Sequence, residues 1–148
     1  MKFRIFAVIF ALFLLVGCSV KHVDRTLTCH MTVDCTDVLA HPDKLKAEKV
    51  DILPKDGIFV EKNAPFAEGE TAYTVLTRVL QKEKMQYEKD ATNYIFAIGG
   101  LYSGDCGEMS GWLYTVNGES PTVGLADYVL KDGDSVRFYF VTDFMAMF

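Results

Sequence analysis

From Leu27 the chain alternates. Leu27, Cys29, Met31, Val33 and Cys35 interleave with Thr28, His30, Thr32 and Asp34, the period-two pattern of a strand with one buried face. Further on, Ala72, Val75, Leu76, Val79 and Leu80 fall on one stripe at helical spacing, with Thr71 placed to cap the first turn. That helix needs a sheet beneath it. Tyr94 to Ile98 and Val136 to Val141 are apolar on both faces, as central strands covered from two sides are. Val50 to Leu53 and Ile58 to Val60 read as shorter strands separated by Pro54 to Gly57. Trp112 to Val116 is aromatic and β-branched and runs into Asn117-Gly118, the pair that tolerates positive φ in a type I′ hairpin turn; Asp132-Gly133 repeats the device before Ser135 to Val141. Strand, short strands, helix and three further strands predict an α+β fold of the β-grasp-like kind, a mixed sheet with one main helix in a single domain.

The beginning of the chain has a different pattern. Lys2 and Arg4 precede an unbroken apolar run from Ile5 to Val16, short for a membrane span and suited to the core of a signal peptide. Leu15-Val16-Gly17-Cys18 then has the form of a bacterial lipobox, in which small residues let a signal peptidase reach the backbone and the cysteine sulfur takes the lipid. The alternatives are an uncleaved anchor or an ordinary buried cysteine. On the lipobox reading, residues 1–17 are a lipoprotein signal peptide, Cys18 is the lipidation site and residues 18–26 are a tether. The folded domain then occupies 27–148. Two or three acyl chains, palmitate among them, at about 0.8 kcal/mol per buried methylene hold a protein on a bilayer almost irreversibly. The expected address is the bacterial cell envelope, facing the periplasm or the exterior.

Composition adjusts this picture in two places. Losing Lys2 and Arg4 with the leader leaves 13 basic residues against 20 acidic ones, so the formal charge moves from −5 to −7. Such a surface excludes nucleic acid and anionic lipid headgroups as natural partners. With Cys18 lipidated, Cys29, Cys35 and Cys106 remain in a compartment that permits disulfides. Cys29 and Cys35 lie about 20 Å apart along one strand, beyond disulfide reach. Cys106 therefore pairs with one of them, or all three are buried thiols. A Cys35–Cys106 pairing is preferred, because it pins the loop before Trp112 to the end of the first strand.

Little in the sequence points to catalysis. Gly107-Glu108-Met109-Ser110-Gly111 has the order G-x-x-S-G, whereas a nucleophile elbow needs G-x-S-x-G, so Ser110 reads as a loop residue. His30, Thr32 and Asp34 share a strand face, but one imidazole and one carboxylate are fewer ligands than a zinc site employs. Asp105, Glu108, Asp132 and Asp134 lack the spacing of a calcium loop. Neither an enzymatic activity nor a metal is expected.

Aromatic residues carry the functional expectation. Trp112, Tyr114 and Val116 share one strand face, opposite Leu113, Thr115 and Asn117. Either they fill the core, or, with the helix covering the other face, they form an apolar patch for a ligand. Phe144, Met145, Met147 and Phe148 add to the supply, closing the core edge or lining a groove.

Gly111-Trp112-Leu113-Tyr114, Val116-Asn117-Gly118, Gly124-Leu125-Ala126-Asp127-Tyr128 and Leu130-Lys131-Asp132-Gly133-Asp134 together resemble the transcobalamin-like C-terminal domain family. This is the β-rich domain that closes over cobalamin in transcobalamin and intrinsic factor, and it also occurs in bacterial surface proteins. The resemblance runs upstream through Cys29 to Cys35, Leu53 to Gly57 and Glu68 to Thr71, over about residues 27 to 141. It implies a ligand contact made by Trp112, Tyr114, Asn117, Gly124, Leu125, Ala126 and Tyr128. Bacterial members often carry a further cysteine where this chain has Leu125, which leaves the family's usual pairing open here. The vitamin carriers also have an α-helical domain that supplies the other half of their site, for which this chain has no room. The expectation is a membrane-anchored, non-catalytic lipoprotein that binds a small ligand, a corrinoid among the candidates, for an uptake or transporter complex. The alternative is an envelope module that binds a protein or polymer.

Overall fold

The computed structural model describes residues 26–147, so the leader, Cys18, most of the tether and Phe148 lie outside the described residues. Four strands form the main sheet: β1 (Leu27–Asp34), β2 (Ile58–Phe66), β6 (Gly111–Val116) and β7 (Ser135–Val141), in the order β2-β1-β7-β6. β1 and β7 run parallel at the centre; β2 and β6 are antiparallel outer strands. This is the β-grasp-like α+β arrangement expected. A short helix α1 (Thr36–Ala40) follows β1, and the main helix α2 (Ala72–Lys82) follows β2. A second sheet of β3 (Tyr87–Lys89), β4 (Ile95–Ile98) and β5 (Leu101–Tyr102) has the order β3-β4-β5.

The core lies between the main sheet, α2 and the small sheet. The odd residues Cys29, Met31 and Val33 of β1 are buried, as the alternation requires, with Val136, Phe138 and Phe140 of β7 and Val75, Leu76, Val79 and Leu80 of α2. The first turn of α2 is tied at three donors. The Thr71 hydroxyl oxygen accepts from the Thr74 N–H at 3.3 Å, while the Ala72 and Tyr73 N–H groups donate to the Tyr128 and Leu125 carbonyls at 2.9 and 3.0 Å. Groups that a helix start leaves unpaired thus anchor the crossing between β6 and β7.

Several expectations change. Val50 and Ile52 lie in a 3-10 helix (Ala47–Ile52), not a strand. Their alternation with Lys49 and Asp51 imitates a strand, but both side chains are exposed, and the Lys49 ammonium donates to the Gly100 carbonyl instead. The strand begun at Ile58 continues to Phe66, and Pro65 is tolerated because β2 is an edge. Tyr94 itself lies outside β4, and β4 is the middle strand of the small sheet.

The Cys35–Cys106 link is not formed. Cys29, Cys35 and Cys106 are free, buried thiols. Burial pushes the Cys35 thiol up to about 12, helped by Asp34, and the Cys106 thiol up to about 11, helped by Asp105. The loop is held by ions instead: buried Asp105 takes Lys46 at 2.9 Å and Lys49 at 3.5 Å and accepts the Tyr102 N–H.

Candidate functional site

At the Asn117-Gly118 turn both residues have positive φ, 54° and 83°, and Val116 and Glu119 exchange two backbone hydrogen bonds of 2.8 and 3.0 Å. This is the type I′ hairpin turn expected. The second turn differs, because only Gly133 has positive φ there.

Trp112 lies on the core face. Its indole is 1% exposed, stacks on Phe138 at 5.3 Å with 3° between the planes, meets Phe140 edge-on at 5.3 Å and donates from Nε1 to the Leu101 carbonyl. The aromatic stripe is thus on the core face of the sheet, the face that α2 covers, and not on the opposite one. That opposite face holds Asp34, buried and gripped by Arg137 at 2.6 and 2.9 Å, with the Arg137 guanidinium over the Tyr139 ring at 4.5 Å. Asp34 and His30 do not form a cation site: His30 meets Asn63 and Glu61 instead. Among the described residues no three His, Cys, Asp or Glu side chains come together as a metal site would require.

A concavity does lie beside the indole. A cleft of about 270 Å³ runs along the outer edge of β6, lined by Asn93, Tyr94, Trp112, Leu113, Tyr114, Ser120, Pro121, Leu125 and Phe138. Three elements build it. β6 gives one wall; the crossing, fixed to the start of α2 through the Leu125 and Tyr128 carbonyls, gives the second. The third is the turn before β4, where the Asp90 carboxylate accepts the N–H groups of Thr92 and Tyr94, and Tyr94 stands 42% exposed with its hydroxyl 3.4 Å from the Trp112 carbonyl.

Of the seven residues taken from the resemblance, Trp112, Tyr114 and Leu125 line this cleft. Tyr128 stands behind Tyr114, edge to face at 6.5 Å. Asn117 is used structurally: its Nδ2 donates to buried Asp134, and its Oδ1 accepts the Ser135 N–H. Gly124 is exposed, and its carbonyl accepts from Asp127 and Tyr128; neither it nor Ala126 reaches the lining. Burial raises the Tyr114 hydroxyl above its ordinary range, with Tyr128 and Asp127 adding to it; burial and then Asp134 do the same for Tyr128. Both phenols are neutral donors at physiological pH, Tyr114 to the Val123 carbonyl. Asn93, Tyr94, Leu113, Ser120, Pro121 and Phe138 were not anticipated as lining residues. The signal that could have found them is the strand order, which makes β6 an outer strand and so lets residues of both its faces border one groove.

Ser110 is buried, donates to the Gly107 carbonyl at 2.7 Å and accepts the Cys106 N–H, so its hydroxyl is committed to the loop. Phe144 closes on the start of β6: a Cβ at Gly111 would stand 2.8 Å from its ring. Met145 is exposed.

Comparison with known proteins places these features in a family. A model described as a domain of unknown function, DUF4430, matches residues 69–142, half of the chain, from the start of α2 through β7. No curated protein matches. Among solved structures, haptocorrin in complex with Cbi aligns at 14% identity with a TM-score of 0.56, covering 79% of this chain and 25% of that one. The chain thus spans a quarter of the haptocorrin chain and shares the fold of that part. A candidate metal-binding protein from Ruminococcus gnavus aligns at 16% identity with a TM-score of 0.43, covering 77% of this chain and 95% of that one.

Proposed function

The chain belongs to the DUF4430 family, and from that premise we propose that it is a non-catalytic, small-ligand-binding lipoprotein domain of the bacterial cell envelope whose ligand enters the cleft along β6. The observation that carries this reading is the cleft itself: apolar walls of Phe138, Leu125, Trp112 and Pro121, and polar groups of Asn93, Tyr94 and Ser120 at its margin, the composition of a small-molecule site. Corrinoids are the ligand class we favour. The support is the transcobalamin-like wording of residues 111–134 and a fold shared with part of haptocorrin, a protein solved in complex with Cbi.

Magnitude limits the affinity. A cleft of about 270 Å³ takes one edge or arm of a macrocycle. A one-sided contact burying about 300 Å² of apolar area yields roughly 7 kcal/mol at 25 cal/mol per Å². Association itself costs on the order of 4 to 15 kcal/mol. Binding by this chain alone is therefore weak, and tight capture requires a second protein, such as a transporter component. The lipid on Cys18 would hold the domain near such a complex.

Isothermal titration of the full chain in detergent with cobinamide and cobalamin tests the reading. Binding in the millimolar range, weakened several-fold by Tyr94→Ala, is the expected result; Tyr94 is exposed enough for its loss to spare the core. No heat up to about 10 mM ligand, above that range, overturns it. Turnover of any substrate that disappears with Ser110→Ala would overturn the non-catalytic assignment.

A further inference from the structure

The backbone of β6 carries information that its side chains do not. Along a strand, the N–H and C=O of successive residues point alternately to the two sides. The Asn117 N–H donates inward to the Ser135 carbonyl next to β7, while Val116 spends its N–H and C=O on Glu119. Residues 112, 114 and 116 therefore direct their backbone groups away from β7. Val116 is closed by the hairpin, and the Trp112 carbonyl meets only the Tyr94 hydroxyl, at 3.4 Å. The outward N–H and C=O of Tyr114 have no partner among the described residues. They open onto the cleft that Tyr114 lines. An unpaired strand edge is a template for another strand, and this one has an apolar socket beside it.

We propose that the outer edge of β6 is a docking site for an extended peptide segment of a partner protein, which adds as a fifth strand and seats one apolar side chain in the cleft. Backbone pairing to Tyr114 supplies the hydrogen bonds, and the pocket selects a side chain of leucine or valine size. Charge around the edge sets the flanks of the segment. Glu119 closes the hairpin at one end of the edge and Asp127 lies close enough to Tyr114 to raise its hydroxyl, while at the far side the Asp90 carboxylate is spent on its own turn and the Lys89 ammonium donates to Asn93. The carboxylates of Glu119 and Asp127 on the hairpin and crossing side favour a segment with basic residues beside the apolar one. This inference does not depend on small-ligand binding: a chain that ignores corrinoids can still pair through β6.

The test uses the full ¹⁵N-labelled chain in detergent and the acetylated, amidated pentapeptide KVLVK. Saturable movement of the Tyr114 amide resonance, with a Kd below about 1 mM, is expected. The same peptide N-methylated at its three internal amides should bind several-fold more weakly, because no amide is left to donate to the Tyr114 carbonyl. Tyr114→Pro removes the outward N–H without touching the β7 ladder and should abolish binding; if that variant fails to fold, the N-methylated peptide still decides. Three results overturn the proposal. The first is a Tyr114 amide that stays still at about 5 mM peptide, well above the expected Kd. The second is equal binding of the two peptides, which would reduce the site to an apolar pocket. The third is dimerisation of the chain alone through β6, which would give the edge to a second copy.

Discussion

Asp34 shows how a single residue can satisfy a pattern and still defeat its reading. It ends a strand on the face that alternation marks as polar, yet it is buried, because β7 brings Arg137 across to it. Burial alone would raise its carboxyl; hydrogen bonds from Arg137 and Thr36 outweigh that and hold it below the ordinary carboxylate range. A carboxyl lowered on folding adds stability above its unfolded value, about 4, and that stability is lost as pH falls through the folded value. Asp34→Asn should cost about 1 to 3 kcal/mol near neutrality, below the full cost of breaking a buried pair because Arg137 is half exposed. Urea unfolding at pH 7 and pH 3 checks this: the variant should lose less than the parent on acidification. The three cysteines give a second prediction at this scale. Buried and held protonated, Cys29, Cys35 and Cys106 should react with a thiol reagent at pH 8 only after denaturation. Fast labelling of the folded domain would contradict the placement of Cys35 and Cys106 in the core.

At the scale of elements, local chemistry decided the turns and the main helix. Asn117-Gly118 needed no tertiary context, since two adjacent residues that accept positive φ between strand formers leave a type I′ turn as the ready solution. Gly118→Val, at φ 83°, should cost about 1 to 2 kcal/mol in chemical denaturation. Thr71→Ala should cost about 1 kcal/mol by losing the cap to the Thr74 N–H. If the crossing is tied to the same helix start, that variant should also speed hydrogen exchange at Ala72 and Tyr73, whose N–H groups bond the crossing's carbonyls. Where alternation misled, at Val50 and Ile52, the segment had no neighbouring strand to pair with, and its Lys49 was drawn to both Asp105 and the Gly100 carbonyl instead.

The whole molecule determines what the aromatic ribbon can do. Because the sheet order is β2-β1-β7-β6, Trp112 faces the α2 side and serves as a core residue, while the edge of its strand opens to a cleft. Its fluorescence should accordingly be blue-shifted and insensitive to iodide, and Trp112→Ala should cost about 3 to 5 kcal/mol; a red-shifted, easily quenched indole would place it outside the core. Residues 27–34, 71–82 and 111–118 were legible in the chain because their structure follows from spacing, capping and turn chemistry over a few residues. The separate small sheet, the free thiols and the placement of Tyr94, Pro121 and Leu125 around β6 were not, because each depends on contacts between segments distant in sequence. The sequence by itself determined the first strand, the two strands near the C-terminus, the main helix and where the hairpin turns. Only the tertiary structure decided which strand is left at the edge and which side chains meet there, since periodicity describes the face a residue presents and not the neighbour that covers it.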